Sequence, residues 1–143
     1  MALPKPALGL VISYSYLWHR ERLEGHDEGR KSRPCVIVLS VEKADVGQIV
    51  TVVPITHAAP RNSGNAVELP LAVKLHLGLD DARSWVKLDE GNRFLWPGFD
   101  LRPIAGSRDR FAYGYLPPRL FEQVVARMKA VWLAGQIAPT SRD

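Results

Sequence analysis

Two apolar runs in the first half of the chain predict a pair of buried strands. The first run, residues 35–39, follows Arg33, and the second, residues 49–53, leads to Thr56. β-Branched runs of this length, joined by a polar connection with a glycine, are typical of adjacent strands buried on both faces. If these strands pair antiparallel, Arg33 and Thr56 become neighbours at one rim of a sheet. A guanidinium and a hydroxyl held together on a rigid edge can bind a phosphate group.

Shorter stretches of alternating polarity predict further strands. Residues 9–18 place aromatic and aliphatic side chains on one face and serines on the other, which indicates a half-exposed strand. Residues 66–69 form a short strand before a proline. Residues 71–79 fit either a helical turn or extended chain, and residues 90–110, with several glycines and prolines, predict mostly loop or short irregular strand. One further alternating strand places three side chains on the same face: Trp85, Lys87 and Asp89.

The chain closes with a pattern typical of an amphipathic helix. Pro118 suits the first helical turn, apolar residues recur at helical spacing over 120–132, and Gly135 is a natural terminator. Strands followed by one helix predict an α+β fold, namely a small, strongly bent, antiparallel barrel-like sheet with a C-terminal helix packed on it.

The predicted domain organisation is simple. We expect a flexible N-terminal tail over residues 1–8, a single domain over residues 9–135 and a frayed C-terminal tail over residues 136–143. A chain of 143 residues with 46% hydrophobic and 24% charged residues fits one globular domain.

Composition narrows the class of protein. No apolar run approaches the roughly 20 residues that a membrane helix needs, so no membrane association is expected. The single cysteine, Cys35, cannot form an internal disulfide and is best interpreted as a small buried residue, which favours a cytoplasmic protein. The net charge of +4 is compatible with a polyanionic partner without requiring one.

Metal and cofactor sites find no support in the motifs. The four histidines show no ligand spacing on a shared element, and one cysteine cannot build a thiolate site. The chain lacks both a phosphate-cradling glycine loop and the Gly-x-Ser-x-Gly elbow of serine hydrolases. The sequence therefore predicts no bound metal and no cofactor.

The predicted strands gather a set of polar side chains at one rim. Arg33 and Thr56 flank the central strands, Lys87 and Asp89 share a strand face, and His26 lies on the polar loop before Arg33. Metal-free RNA cleavage needs such a set, because a base must remove the 2′-hydroxyl proton, cations must stabilise the charged phosphorane, and an acid must protonate the leaving 5′-oxygen.

Spacing alone leaves alternatives open. Arg33 is equally consistent with a structural ion pair to Asp27 or Glu28. Thr56 is consistent with a turn-capping hydroxyl, and the charged pair on the later strand with an ordinary solvated face. The aromatic segment 94–99 fits base stacking, although filling the core or an interface is favoured.

Five short segments occur in an order and spacing that resemble the MazF/PemK family of toxin endoribonucleases. Arg33-Pro34 with its apolar run, and Pro54-Ile55-Thr56, are the most specific of them. The resemblance extends over nearly the whole chain, and its segments are residues 25–29, 33–40, 52–56, 86–90 and 113–117.

The resemblance implies a homodimer with an antitoxin partner whose C-terminal segment blocks the RNA groove. It also implies metal-independent cleavage of single-stranded RNA at short sequences, leaving 2′,3′-cyclic phosphate and 5′-hydroxyl ends. By motif match, Arg33 and Thr56 correspond to the catalytic arginine and threonine, Asp89 is the expected base and His26 the expected acid or orienting group. The expected RNA-binding residues are Lys87, Lys31, Arg30 and His57.

The chain also departs from the family pattern. Lys87 stands where such proteins carry an arginine, so a forked contact becomes a point charge. An acidic residue usual in the first strand is absent near Leu10, and residues 94–103 lie outside the general pattern. Two other functions on the same scaffold therefore remain alternatives: a non-catalytic CcdB-like inhibitor of a protein such as gyrase, and a nucleic-acid-binding module without chemistry.

Overall fold

An antiparallel hairpin forms the centre of the sheet. The computed structural model describes residues 3–18, 32–98, 100–135 and 140–142. In it, β2 (Ser32–Lys43) pairs with β3 (Gly47–Thr56), and the register sets Cys35 opposite Pro54. Continuing this register by two residues sets Arg33 opposite Thr56, so the predicted neighbours do lie at one rim.

Burial of the hairpin is confined to the half that carries this rim. Both faces are covered at residues 35–38 and 50–56, whereas the strand ends near the turn are largely exposed, including Leu39 and Val41. The prediction of burial on both faces for residues 35–39 and 49–53 is therefore confirmed except at the turn end of each run, where Leu39 is 40% exposed and Ile49 is partly exposed.

The remaining strands extend the sheet in the order β4-β5-β3-β2-β1-β7, and β6 joins β3 and β8 off this path. All pairings are antiparallel except β6 with β8. The bounds are β1 (Leu10–Ser15), β4 (Ala66–Glu68), β5 (Trp85–Lys87), β6 (Asn92–Leu95), β7 (Ala112–Tyr115) and β8 (Thr140–Ser141).

β3 changes partner along its length, and this bends the sheet. Its residues 49–52 pair with β6, while Ile55 and Thr56 pair with β5. One edge of β3 therefore pairs with two successive strands, both antiparallel to it. Over the described residues the sheet does not close into a barrel, and the predicted α+β class with a strongly bent antiparallel sheet is confirmed.

Two helices in the described part of the chain cover one face of this sheet. Segment 71–79, which sequence left undecided, contains the short helix α1 (Leu71–Leu77). The predicted C-terminal helix is α2 (Pro118–Leu133), with Pro118 in its first turn. Its buried side chains join alternate strand residues in one apolar cluster, whose members include Val36, Val53, Val86, Leu120, Val124 and Met128.

A second apolar cluster fills the opposite face of the same strands. It contains Ile12, Tyr14, Cys35, Ile37, Val50, Val52 and Phe94, among others. Because both faces are covered, all of β1 is buried, including Ser13 and Ser15. The prediction of a half-exposed first strand was wrong, since the serine face lies under packed chain rather than in solvent.

The aromatic segment after β5 contributes to this second cluster. Phe94 lies in β6, is 1% exposed and stacks on Tyr14 with ring centroids 4.7 Å apart. The favoured interpretation, core filling, is therefore confirmed for Phe94. The expectation of mostly loop or short irregular strand over residues 90–110 allowed for β6 but did not give its bounds, because its four residues carry no clear alternation.

The end of the chain is docked rather than frayed where the structure describes it. β8 pairs with β6, and Arg142 is 3% exposed with its Nη2 2.8 Å from Asp100 Oδ2. Arg142 Nη1 also donates to Ser15 O at 3.0 Å. The frayed-tail prediction was wrong for residues 140–142, and residues 136–139 and 143 lie outside the described residues.

Candidate functional site

A cleft of about 540 Å³ opens at the rim where β2, β3 and β5 meet. Four of the residues selected from sequence line it: Arg33, Thr56, Lys87 and Asp89. They come from three neighbouring strands and the turn after β5, so the pairing of short strands brings together side chains that are far apart in sequence.

Arg33 is positioned by an aromatic ring. Its guanidinium carbon lies 4.9 Å from the ring centroid of Trp18, a residue that is 8% exposed and also lines the cleft. Such a cation–π contact orients a guanidinium without using its N–H donors. Salt bridges among the described residues do not involve Arg33, and the alternative partners Asp27 and Glu28 lie outside those residues.

Thr56 ends β3 and is 8% exposed. Its Oγ1 accepts a hydrogen bond from Ala58 N at 3.1 Å, so the turn-capping interpretation describes a contact that is present. Capping uses the oxygen as an acceptor, and the hydroxyl hydrogen is left to donate to a ligand in the cleft. The two interpretations of Thr56 are therefore compatible.

Lys87 and Asp89 form an ion pair on the face that the alternation predicted. Lys87 Nζ lies 2.8 Å from Asp89 Oδ1, and the side chains are 30% and 26% exposed. Partial burial makes such a pair stronger than one in open solvent. The ammonium fixes one carboxylate oxygen, and the cleft thus presents a cation and an anion side by side.

His57 is placed away from this group. It is not among the cleft-lining residues, and its Nε2 lies 2.9 Å from Asp80 Oδ2. Asp80 in turn accepts from the buried ammonium of Lys74 at 2.8 Å. The hydrogen bond from Lys74, with the charges of His57 and Lys74, lowers the pKa of the Asp80 carboxyl. These contacts hold the histidine ring against Asp80, outside the lining of the cleft.

Three other selected residues, His26, Arg30 and Lys31, lie outside the described residues. Among the described residues, no three histidine, cysteine, aspartate or glutamate side chains are grouped as metal ligands would be. Cys35 is fully buried, and burial raises the pKa of its thiol. This confirms Cys35 as a core residue.

Sequence reasoning missed several cleft residues. Trp18, Arg61, Asn65, Trp85 and Glu90 all contribute to the lining. The signal for Trp85 was present, because it alternates with Lys87 and Asp89. Trp18 also belonged to an alternating stretch, residues 9–18, but nothing in that pattern placed it beside Arg33. The other three come from turns or strand ends where no periodicity applies.

Glu90 is hydrogen-bonded to a buried residue, Tyr16, which directly follows β1. Tyr16 donates its hydroxyl to Glu90 Oε1 at 3.4 Å. Burial, reinforced by the charge of Glu90, raises the pKa of Tyr16 well above its usual value, so the phenol stays a donor.

One protein-family model matches this chain. The model of the PemK-like, MazF-like toxin of type II toxin-antitoxin systems matches residues 19–93, just over half of the chain. The chain belongs to this toxin family. The match spans Arg33, Thr56, Lys87 and Asp89, and the resemblance seen in the sequence is confirmed.

Membership in a type II toxin family implies an antitoxin partner. No curated protein matches the chain. Among the described residues, the structure contains no helix that is both long and apolar enough to span a membrane.

Proposed function

We propose that this toxin is a metal-independent endoribonuclease that cleaves single-stranded RNA to 2′,3′-cyclic phosphate and 5′-hydroxyl ends. The observation that carries the proposal is the convergence of Arg33, Thr56, Lys87 and Asp89 on one cleft. The cleft supplies a fixed guanidinium, a hydroxyl donor, an ammonium and a carboxylate. These groups can supply the base and the charge stabilisation that transesterification of an RNA phosphodiester requires.

The proposed roles follow from the chemistry of each group. Asp89 removes the 2′-hydroxyl proton, and the freed oxygen attacks phosphorus while the bond to the 5′-oxygen breaks. Arg33, Lys87 and Thr56 bind the non-bridging oxygens, whose negative charge grows in the transition state. A proton donor completes the reaction at the leaving oxygen, and His26 is the proposed donor because an imidazole titrates near neutral pH.

The proposal extends to binding and assembly. Arg30, Lys31 and His57 are proposed RNA contacts at the edge of the cleft. The antitoxin is proposed to inhibit the toxin by covering the cleft. The toxin is proposed to function as a homodimer, and both proteins are proposed to be located in the cytoplasm.

Two other functions are possible on the same scaffold. The chain could be a non-catalytic inhibitor that binds a target protein, or a module that binds nucleic acid without cleaving it. Neither requires a carboxylate paired with a cation next to a phosphate-binding arginine. The arrangement of Lys87 and Asp89, 2.8 Å apart inside the cleft, therefore favours the nuclease.

The test is incubation of the purified, antitoxin-free toxin with long single-stranded RNAs in EDTA, followed by mapping of both fragment ends. Cuts at a recurring short sequence with cyclic-phosphate ends are expected. Binding that weakens steeply with salt but produces no cuts would favour the binding module. Folded toxin that neither cuts nor binds RNA would direct the search to a protein target.

A further inference from the structure

Trp85 occupies a special place in the cleft. It begins β5 and pairs directly with Thr56 of β3 on one side and with Glu68 of β4 on the other. Side chains of directly paired residues stand about 5 Å apart at Cβ. The indole is therefore next to the Thr56 hydroxyl, and Lys87 follows two positions along the same strand face.

The indole of Trp85 does not pack in either apolar cluster. All four tryptophans lie in the described part of the chain, and Trp18, Trp96 and Trp132 each belong to or pack against one of the two apolar clusters. Trp85 is in neither cluster, although it is half-buried and lines the cleft. A large aromatic side chain that is not packed in the core but borders a cleft is available to a ligand.

A surface contact holds the ring in place. The guanidinium carbon of Arg83 lies 5.0 Å from the ring centroid of Trp85. Arg83 is itself held by both carboxylate oxygens of Glu68, with Nε to Oε2 and Nη2 to Oε1 both 2.8 Å. Since Arg83 is 73% exposed and Glu68 41% exposed, this contact contributes little to folding, but it restricts the orientation of the indole.

The rest of the cleft has the composition of a nucleobase site. Small apolar residues, Ala58, Ala59 and Pro60, line it beyond Thr56, and Asn65 adds an amide. Aromatic rings bind unpaired bases by stacking, and this is sequence-tolerant because every base has a π-face. Cations near the ring, such as Arg33 and Lys87, suit the phosphates on either side of such a base.

We propose that Trp85 is a stacking platform for the unpaired RNA base adjacent to the phosphate that is cut. The proposal rests on the proposed ribonuclease function and adds a substrate-binding residue to it. Stacking on one aromatic side chain contributes about 1–3 kcal/mol per base. Removing the ring should therefore lower kcat/KM by roughly 5-fold to 150-fold.

The test combines protein variants with substrate variants. Trp85→Ala and Trp85→Phe are compared with wild type on a short RNA with one cut site, and on the same RNA made abasic at the nucleotide on each side of the cut in turn. Trp96→Phe, a tryptophan replacement outside the cleft, is the matched control. Circular dichroism and thermal unfolding confirm that each variant is folded.

We expect Trp85→Ala to lose activity on intact RNA, Trp85→Phe to retain most of it, and Trp96→Phe to match wild type. On one of the two abasic RNAs, wild type and Trp85→Ala should cut equally slowly, because the stacking partner is already missing. The proposal would be overturned if Trp85→Ala lost the same factor of cleavage activity on the intact RNA and on both abasic RNAs, or if it lost none. In either case, cleavage by wild type would still support the nuclease.

A binding measurement separates failure of this inference from failure of the nuclease. An RNA with 2′-deoxyribose at the cut site lacks the nucleophile and should bind without being cleaved. Its affinity should fall in Trp85→Ala by a factor similar to the loss in kcat/KM, and should be unchanged in Trp96→Phe. If wild type cuts no RNA, the nuclease fails, and the affinity for intact single-stranded RNA is compared instead: a Trp85-dependent affinity would still support base stacking on the ring, whereas equal affinities would overturn it. Loss of antitoxin affinity alone would assign the ring to the protein partner instead.

Discussion

Replacing Asn92 with alanine is the perturbation whose effect on stability the structure defines best. The side chain is fully buried and binds the backbone of Leu17 on both sides. Its Oδ1 accepts from Leu17 N at 2.9 Å, and its Nδ2 donates to Leu17 O at 2.9 Å and to Gly91 O at 3.0 Å. Oδ1 also accepts from Arg142 Nη1 at 3.1 Å. One amide therefore joins the segment after β1, β6 and Arg142 near the end of the chain.

The magnitude follows from the groups left without partners. Asn92→Ala removes the partners of the N–H and C=O of Leu17, which is 0% exposed. A buried polar group without a partner costs about 1–3 kcal/mol, so the two together predict a loss of about 2–6 kcal/mol in the free energy of unfolding. Domains of this kind have about 5–15 kcal/mol in total, so the loss should be a large and easily measured fraction of the stability.

Urea denaturation followed by circular dichroism measures this loss. Gln123→Ala, on the exposed side of α2, is the control and should change stability by no more than about 0.5 kcal/mol. A loss below about 1 kcal/mol for Asn92→Ala, with an unchanged dependence on urea, would refute the reasoning. It would mean that the backbone of Leu17 finds other partners at little cost.

Two further predictions concern the rim of the cleft. Thr56→Val should lower RNA-cleavage kcat/KM by about 10-fold to 100-fold, since a hydrogen bond to a charged group is lost, while Thr56→Ser should retain most activity; equal losses in both variants would argue against a role for the hydroxyl. Because Lys74 lowers the pKa of Asp80, the stability from this contact should be complete at neutral pH and disappear as the pH falls below about 4. The difference in urea stability between wild type and Asp80→Asn should therefore be smaller at pH 3 than at pH 7, and a difference of the same size at both pH values would contradict this assignment.

Much of the fold was predictable because it follows local patterns. The β-branched runs of β2 and β3, the alternation of β5 and the helical spacing of α2 are each visible within a few residues. The antiparallel pairing of β2 with β3 then brought Arg33 to Thr56 without any further information. The placement of Lys87 and Asp89 on one face also followed from strand periodicity alone.

The features that sequence did not predict depend on contacts between distant segments. The burial of Ser13 and Ser15 requires covering chain on both faces of β1, which no local pattern indicates. β8 is two residues long, and its docking rests on the buried contact between Arg142 and Asp100. The position of Trp18 in the cleft was also not predicted. It lies beside Arg33 because β1 pairs with β2, which is a contact between distant segments.

The central claim is that Arg33 and its neighbours form a site that cleaves RNA through the 2′-hydroxyl. The most direct measurement is single-turnover cleavage, in EDTA, of a short RNA containing one mapped cut site, by wild type and by Arg33→Ala. The account predicts a cyclic-phosphate product with wild type, a loss of at least about 100-fold in Arg33→Ala with the fold intact, and no cleavage when the cut site carries 2′-deoxyribose. Cleavage of the 2′-deoxy substrate, or an Arg33→Ala variant as active as wild type, would contradict it.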